Sequence, residues 1–335
     1  MYIMKWKNFL VVLKNYSSLI RKNIFYIFLL LVLLLVFFIL SIQVGDKFYS
    51  FKEMLDLTKS DFYIIYEIRV PRSLAAIFVG ASLAIAALVM QYILKNPLAS
   101  PFTLGISHGA LFGASVSIMF FNSLYLEGFA FLGANVVTFL ILVLSKLRGF
   151  SATILILSGV AISALFGSLS MFLQYFSDDL ELSAIINWSF GDLSRSEYNK
   201  VLVVAIIFII SFIIFYKKRW DFNSFDIVES ENVGVDIKKI TILSLLLATL
   251  LSSISVSYFG VIAFIGLIAP HFARLISGDF RFLLPLSALI GALLLLVSDF
   301  ISRIILYPIE IPVGILTSFI GAPLFLALLI KIYRK

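Results

Sequence analysis

Arg69 and Arg72 bracket Pro71 in the run EIRVPRSLAAIFVGASLAIA and stand at the head of a long apolar stretch. A third arginine, Arg303, follows Asp299 by four residues near the end of another apolar stretch. A guanidinium is a permanent cation whose planar donors match a carboxylate. At the edge of an apolar segment it either snorkels to lipid headgroups or meets an acidic partner. The Asp299–Arg303 spacing also allows a simple i,i+4 pair on one helix. His108, in LGISHGALFG, is one of two histidines; the other is His271. In a helix bundle a lone histidine serves as an interhelical hydrogen-bonder. Facing a pathway, it is the one titratable group able to touch a cargo.

Several chemistries are missing from the sequence. With no cysteine there is no disulfide, thiolate metal site or cysteine nucleophile, and two histidines make no histidine-rich metal site. No G-x-x-x-x-G-K-[ST] phosphate loop occurs, so ATP is not bound by that device. There is no G-x-S-x-G elbow and no H-E-x-x-H pair. The lack of any catalytic constellation argues against a membrane enzyme. A secondary transporter driven by an ion gradient is a second reading, weakened because no carboxylate falls in the middle of an apolar run.

The elements that hold these residues follow from composition. The chain has 335 residues, 61% hydrophobic and 13% charged, against roughly 45–50% and 25% in soluble domains. Its main solvent is therefore lipid. A membrane core takes about 20 apolar residues per helix, and ten runs fit: 24–44, 74–94, 102–122, 129–147, 153–176, 198–216, 241–258, 261–276, 282–304 and 312–332. Only FGV parts the seventh from the eighth, which leaves one long broken helix as an alternative there. The first run lacks a small-residue cleavage site and reads as a retained span. With ten spans and both termini cytoplasmic, 18 of the 26 Lys and Arg residues fall inside, as the positive-inside rule requires. The net charge of +7 is thus a topology signal and not a nucleic-acid footprint. Arg69, Arg72 and Arg303 lie outside, against that bias.

Small residues repeat at helical spacing at Gly105, Gly109 and Gly113, at Gly80, Ala84 and Ala87, and at Gly159 and Ser163. They mark close helix packing. Pro323 falls inside the last run and can kink it. The longest inner segment, 219–239, is polar and mixed in charge, with Gly234 near its centre. It reads as one or two short helices and as the natural dock for a soluble partner.

RVPRSLAAIFVGASLAIAALVMQ, KNPLASPFTLGISHGALFGA, GVIAFIGLIAPHFARLISG, LLPLSALIGALLLLVSDFISR and EIPVGILTSFIGAPLFLALL, in this order, resemble the permease subunits of type II ABC importers for iron–siderophores, haem and cobalamin. The resemblance runs from Arg69 to Leu329. It implies an all-α integral membrane protein of ten transmembrane helices and a single permease domain over 1–335. It further implies a homodimer in the cell membrane of a prokaryote, two cytoplasmic ATPase subunits that bind ATP and Mg, and an external binding protein. No cofactor is expected in this chain. By the same resemblance Arg69, Arg72 and Arg303 dock the binding protein. Ser224, Phe225, Asp226, Glu229, Asn232, Val233, Gly234 and Val235 fall in the coupling segment for the ATPase. The fifth and tenth spans and the turn before the fifth would form pathway and gate, with His108, Lys146, Arg148, Ser151, Gly159, Gly314 and Thr317 as candidates. Where the family commonly has serine, this chain has His108. An iron(III)–siderophore is the expected cargo, with haem, cobalamin or an oxyanion as alternatives.

Overall fold

The computed structural model describes residues 2–45, 48–49, 59–147, 151–219, 222 and 237–333, and every regular element among them is a helix. Helix α1 (Tyr2–Gln43) is followed by α2 (Lys59–Tyr63), which passes through a π-helical turn (Ile64–Arg69) into α3 (Val70–Ile93). Then come α4 (Ile106–Phe121), α5 (Leu126–Leu147), α6 (Ala152–Phe176), α7 (Asp179–Ser189) and α8 (Tyr198–Lys217). The last four are α9 (Ile237–Phe259), α10 (Ile265–Ile276), α11 (Phe280–Ile304) and α12 (Val313–Tyr333).

Helix α3 is the axis of the bundle. Its alanines, Ala75, Ala76, Ala84, Ala86 and Ala87, are fully or almost fully buried. They let α8, α9, α10 and α11 pack closely around it. The closest approach is backbone to backbone. A Cβ on Gly80 would lie 2.3 Å from the Gly291 carbonyl oxygen, so only glycine fits. The predicted glycine stripe in α4 does the same work: a Cβ on Gly109 would come 2.4 Å from Gly133 O of α5. In lipid such contact supplies the association energy that water would otherwise drive. Helix α1 is peripheral and presents Phe25, Phe28, Leu31 and Leu35 outward.

Among the described residues, seven helices are long and apolar enough to cross a membrane, and Ile106–Phe121, Ile265–Ile276 and Val313–Ala327 are shorter apolar helices. At 1.5 Å per residue, the 12 residues of α10 reach only about 18 Å, short of a core of about 30 Å. Residues 260–264 separate it from α9, with Gly260 at φ +73° and Phe264 at φ +66°, so the seventh and eighth runs are distinct helices. Several helix boundaries differ from the sequence reading; α1, for one, runs from Tyr2 and not from Ile24. The second helical unit starts at Lys59 and not near Leu74, so Arg69 and Arg72 lie within a continuous helix. Pro71 has no N–H to give to the turn before it, and that turn has π geometry. The third helix starts at Ile106, after turns at 101–105. Helix α7 was not anticipated, although its start carries a capping box: Asp178 Oδ1 accepts from Glu181 N at 2.7 Å, and Glu181 Oε2 from Asp178 N at 3.1 Å.

Candidate functional site

The three singled-out arginines converge on one buried polar cluster at the junction of α1, α3 and α11. Arg72 Nε donates to Asp299 Oδ1 at 2.8 Å, and Arg72 Nη1 donates to Glu310 Oε2 at 2.6 Å. Arg303 Nη2 lies 3.2 Å from Asp299 Oδ2 in the predicted i,i+4 pair, an ion contact without hydrogen-bond alignment. Arg303 also donates through Nη1 to Ser41 O at 3.0 Å and through Nη2 to Ser41 Oγ. Arg69 Nη1 donates to the carbonyls of Ile42 at 2.9 Å and Gln43 at 3.1 Å. Its guanidinium stands 5.0 Å from the Tyr49 ring centroid.

Burial sets the character of the cluster. Asp299 is 0% exposed, and Arg69, Arg72 and Arg303 are 5–6% exposed. The Glu310 side chain, by contrast, is 47% exposed. Buried charges persist only when paired and hydrogen-bonded: Arg72 and Arg303 share Asp299, and Arg69 is held by two carbonyls and the Tyr49 ring. Asp299 was foreshadowed by its spacing to Arg303. Glu310 and Ser41 carried no sequence signal, since nothing local places them beside α3.

Just past Glu310, at the start of α12, the ends of α7, α9 and α12 cross. Gly314 N donates to Gly191 O at 3.1 Å, and Asp192 N donates to Phe259 O at 2.8 Å. A Cβ on Gly314 would stand 2.0 Å from Phe190 O. Gly314 is therefore a packing requirement as well as a wall residue. Thr317 Oγ1 is turned back on its own helix and donates to Gly314 O at 3.1 Å. Beside this crossing lies an apolar cavity of about 700 Å³, walled among others by Phe102, Phe190, Phe264, Gly314, Ser318 and Phe319. The aromatic walls were not anticipated.

His108 sits one helix away. Its Nδ1 and Ser163 Oγ of α6 are 3.0 Å apart, the interhelical bond expected of it. Its ring also contacts Phe102, centroids 5.3 Å apart. Thr103, His108, Ser163 and Ser168 line a second surface cavity of about 430 Å³. Gly159 packs on Leu104, where a Cβ would meet Leu104 Cδ2 at 2.8 Å. Ser151 caps α6, its Oγ accepting from Ile154 N at 3.3 Å. Lys146 is exposed near the end of α5. Arg148 and the coupling residues Ser224, Phe225, Asp226, Glu229, Asn232, Val233, Gly234 and Val235 lie outside the described residues. Among the described residues no group of three or more His, Asp or Glu side chains is placed to hold a metal ion.

Comparison with known proteins gives this arrangement a context. Residues 33–331 match the model of the FecCD transport family. A protein of Methanocaldococcus jannaschii that bears an ABC transporter permease name is 44% identical, over 96% of this chain and 99% of that one. The hemin transport system permease protein HmuU of Yersinia pestis is 35% identical, over 90% and 94%. A solved inward-facing structure assigned to the metal-chelate type of ABC transporter superposes with a TM-score of 0.84 at 32% identity, over 91% of this chain and 98% of that one.

Proposed function

The chain belongs to the FecCD transport family, and we propose that it is the membrane path by which an iron chelate, in the first instance an iron(III)–siderophore, enters a prokaryotic cell. It is a multi-pass membrane protein and a permease subunit of an ABC importer for metal chelates. It is a transport subunit and not an enzyme, and a separate ATPase hydrolyses ATP. The observation that carries the reading is the extent of the family match, which covers all the helices from α3 to α11.

The finer assignment is ours. Ten helices, α1, α3–α6 and α8–α12, traverse the membrane with both termini cytoplasmic, as the Lys and Arg distribution favours. Two copies form a homodimer around a shared pathway. The apolar faces of α6 and α12, with Leu157, Met171, Phe319 and Leu326 exposed, supply the surface such an assembly would cover. Two ATPase subunits, which bind ATP and Mg, dock on residues 224–235. His108, Lys146, Arg148, Ser151, Gly159, Gly314 and Thr317 belong to the pathway and its gate.

Arg69, Arg72 and Arg303 form the point at which an external binding protein docks through acidic side chains. Because all three are buried and internally bonded, the contact works by exchange. Glu310 is the carboxylate that an incoming acid replaces on Arg72. Complementary charge of this kind sets on-rate and register more than affinity. The test is to purify the permease with its ATPase in lipid nanodiscs and measure ATP hydrolysis. Stimulation by the chelate-loaded binding protein is the expected result; a rate indifferent to that protein would overturn the importer reading.

A further inference from the structure

An ionisable side chain inside a membrane-spanning helix is costly to hold there, and it faces the bundle interior or a water-filled cavity. His108 is half-buried on α4, and its position poses the question of what its free nitrogen meets. Nδ1 is engaged by Ser163 Oγ at 3.0 Å. In the tautomer that places the proton on Nδ1, this N–H donates to Ser163 Oγ, and Nε2 keeps its lone pair. That is the arrangement by which proteins orient a neutral imidazole as a metal ligand: one nitrogen tied to a fixed acceptor, the other presented to the metal.

The surroundings fit this role. The cavity wall around His108 carries the hydroxyls of Thr103, Ser163 and Ser168 and the small residues Ala164 and Gly167, with Val160 and Met171 as its apolar part. The rest of α6's exposed surface carries Leu157, Leu165, Leu169, Phe172 and Phe176. The hydroxyls and small residues of α6 are thus gathered beside His108, among apolar neighbours. Gly167 leaves the imidazole its room: a Cβ there would already touch His108 Cδ2 at 3.4 Å. Phe102, whose ring contacts His108, also walls the 700 Å³ apolar cavity. The imidazole thus stands beside a space of cargo size.

Resting on the importer reading above, we propose that His108 Nε2 is a transient ligand to the metal of the cargo as it passes. The cargo is then not the siderophore of that reading but an iron chelate that leaves the metal an exchangeable coordination position, as a planar tetrapyrrole does. A hexadentate siderophore offers no such position. Ligation adds one Fe–N bond and displaces a water or other weak axial ligand, with no change in oxidation state.

The test titrates hemin into the permease–ATPase complex in nanodiscs and reads the Soret band against hemin in empty nanodiscs. The expected result is a shift to an imidazole-ligated spectrum that His108→Ala abolishes and His271→Ala preserves. Ser163→Ala should weaken hemin binding roughly tenfold, as loss of a partner that orients a ligand does. A spectrum the same in wild type and His108→Ala, or the same as in empty nanodiscs, overturns the proposal. Stimulation of ATP hydrolysis by the binding protein, measured on the same samples, separates the two readings. If stimulation persists while the spectrum ignores His108, only the ligand assignment falls; if stimulation is absent as well, the importer reading falls with it.

Discussion

Arg72 and Asp299 are 227 positions apart in the chain and 2.8 Å apart in the structure. Their bond ties the central helix α3 to α11 at the same end where Arg303 ties α11 to α1. The charges that look like surface features in the sequence are thus the buried clasp of three helices. Asp299→Ala would leave Arg72 with Glu310 alone and deprive Arg303 of its carboxylate. Breaking a buried ion pair by removing one partner costs about 3–5 kcal/mol. A clear fall in the thermal unfolding midpoint of the detergent-solubilised protein is expected.

Glu310 should behave differently. It is half-exposed, and an exposed ion pair contributes no more than about 1 kcal/mol. Glu310→Gln is expected to leave the unfolding midpoint nearly unchanged. It should also speed association of the binding protein, because the internal competitor for Arg72 is gone. Surface plasmon resonance over a salt series checks this, and the gain should shrink as ionic strength rises.

The backbone contact between α3 and α11 predicts a sharp contrast among glycines. Gly291→Val places atoms where Ala84 Cβ and Gly80 O already lie, within 2.5 Å of a new Cβ. It should abolish accumulation of folded protein. Gly278→Ala, where nothing stands within 4 Å, should be neutral. Yield of monodisperse protein on size-exclusion chromatography reads both.

The segment proposed above as the ATPase dock supplies a fourth test. Replacing residues 224–235 with a Gly/Ser linker of equal length should leave the permease folded and inserted but unable to retain its ATPase. Co-purification on a tagged ATPase subunit measures it, and undiminished retention would move the docking site elsewhere.

Much of this was legible in the sequence because lipid simplifies the pattern. An apolar run of spanning length has few alternatives to a helix, so each long run falls on a helix, although α1 and the helical unit from Lys59 begin well before their runs. Glycine stripes announced close packing, since nothing else explains small residues at four-residue spacing in Gly105–Gly113. The misses have physical causes. Helix α7 is only 11 residues long, too short to stand out as a span, and its capping box lies between two apolar runs. The π-helical turn at Ile64–Arg69 is invisible to periodicity, so the arginines were placed at a helix mouth. Their burial was hidden for another reason: it depends on Ser41, Asp299 and Glu310, and local sequence cannot say which distant residues will pair.

The most direct test of the central claim is uptake of radiolabelled iron chelates by cells stripped of their own importers and supplied with this permease, its ATPase and its binding protein. Accumulation is predicted to need all three components and to survive collapse of the membrane ion gradients while ATP is maintained. Accumulation that persists without the ATPase and vanishes when the gradients are collapsed would contradict the account and identify a secondary transporter.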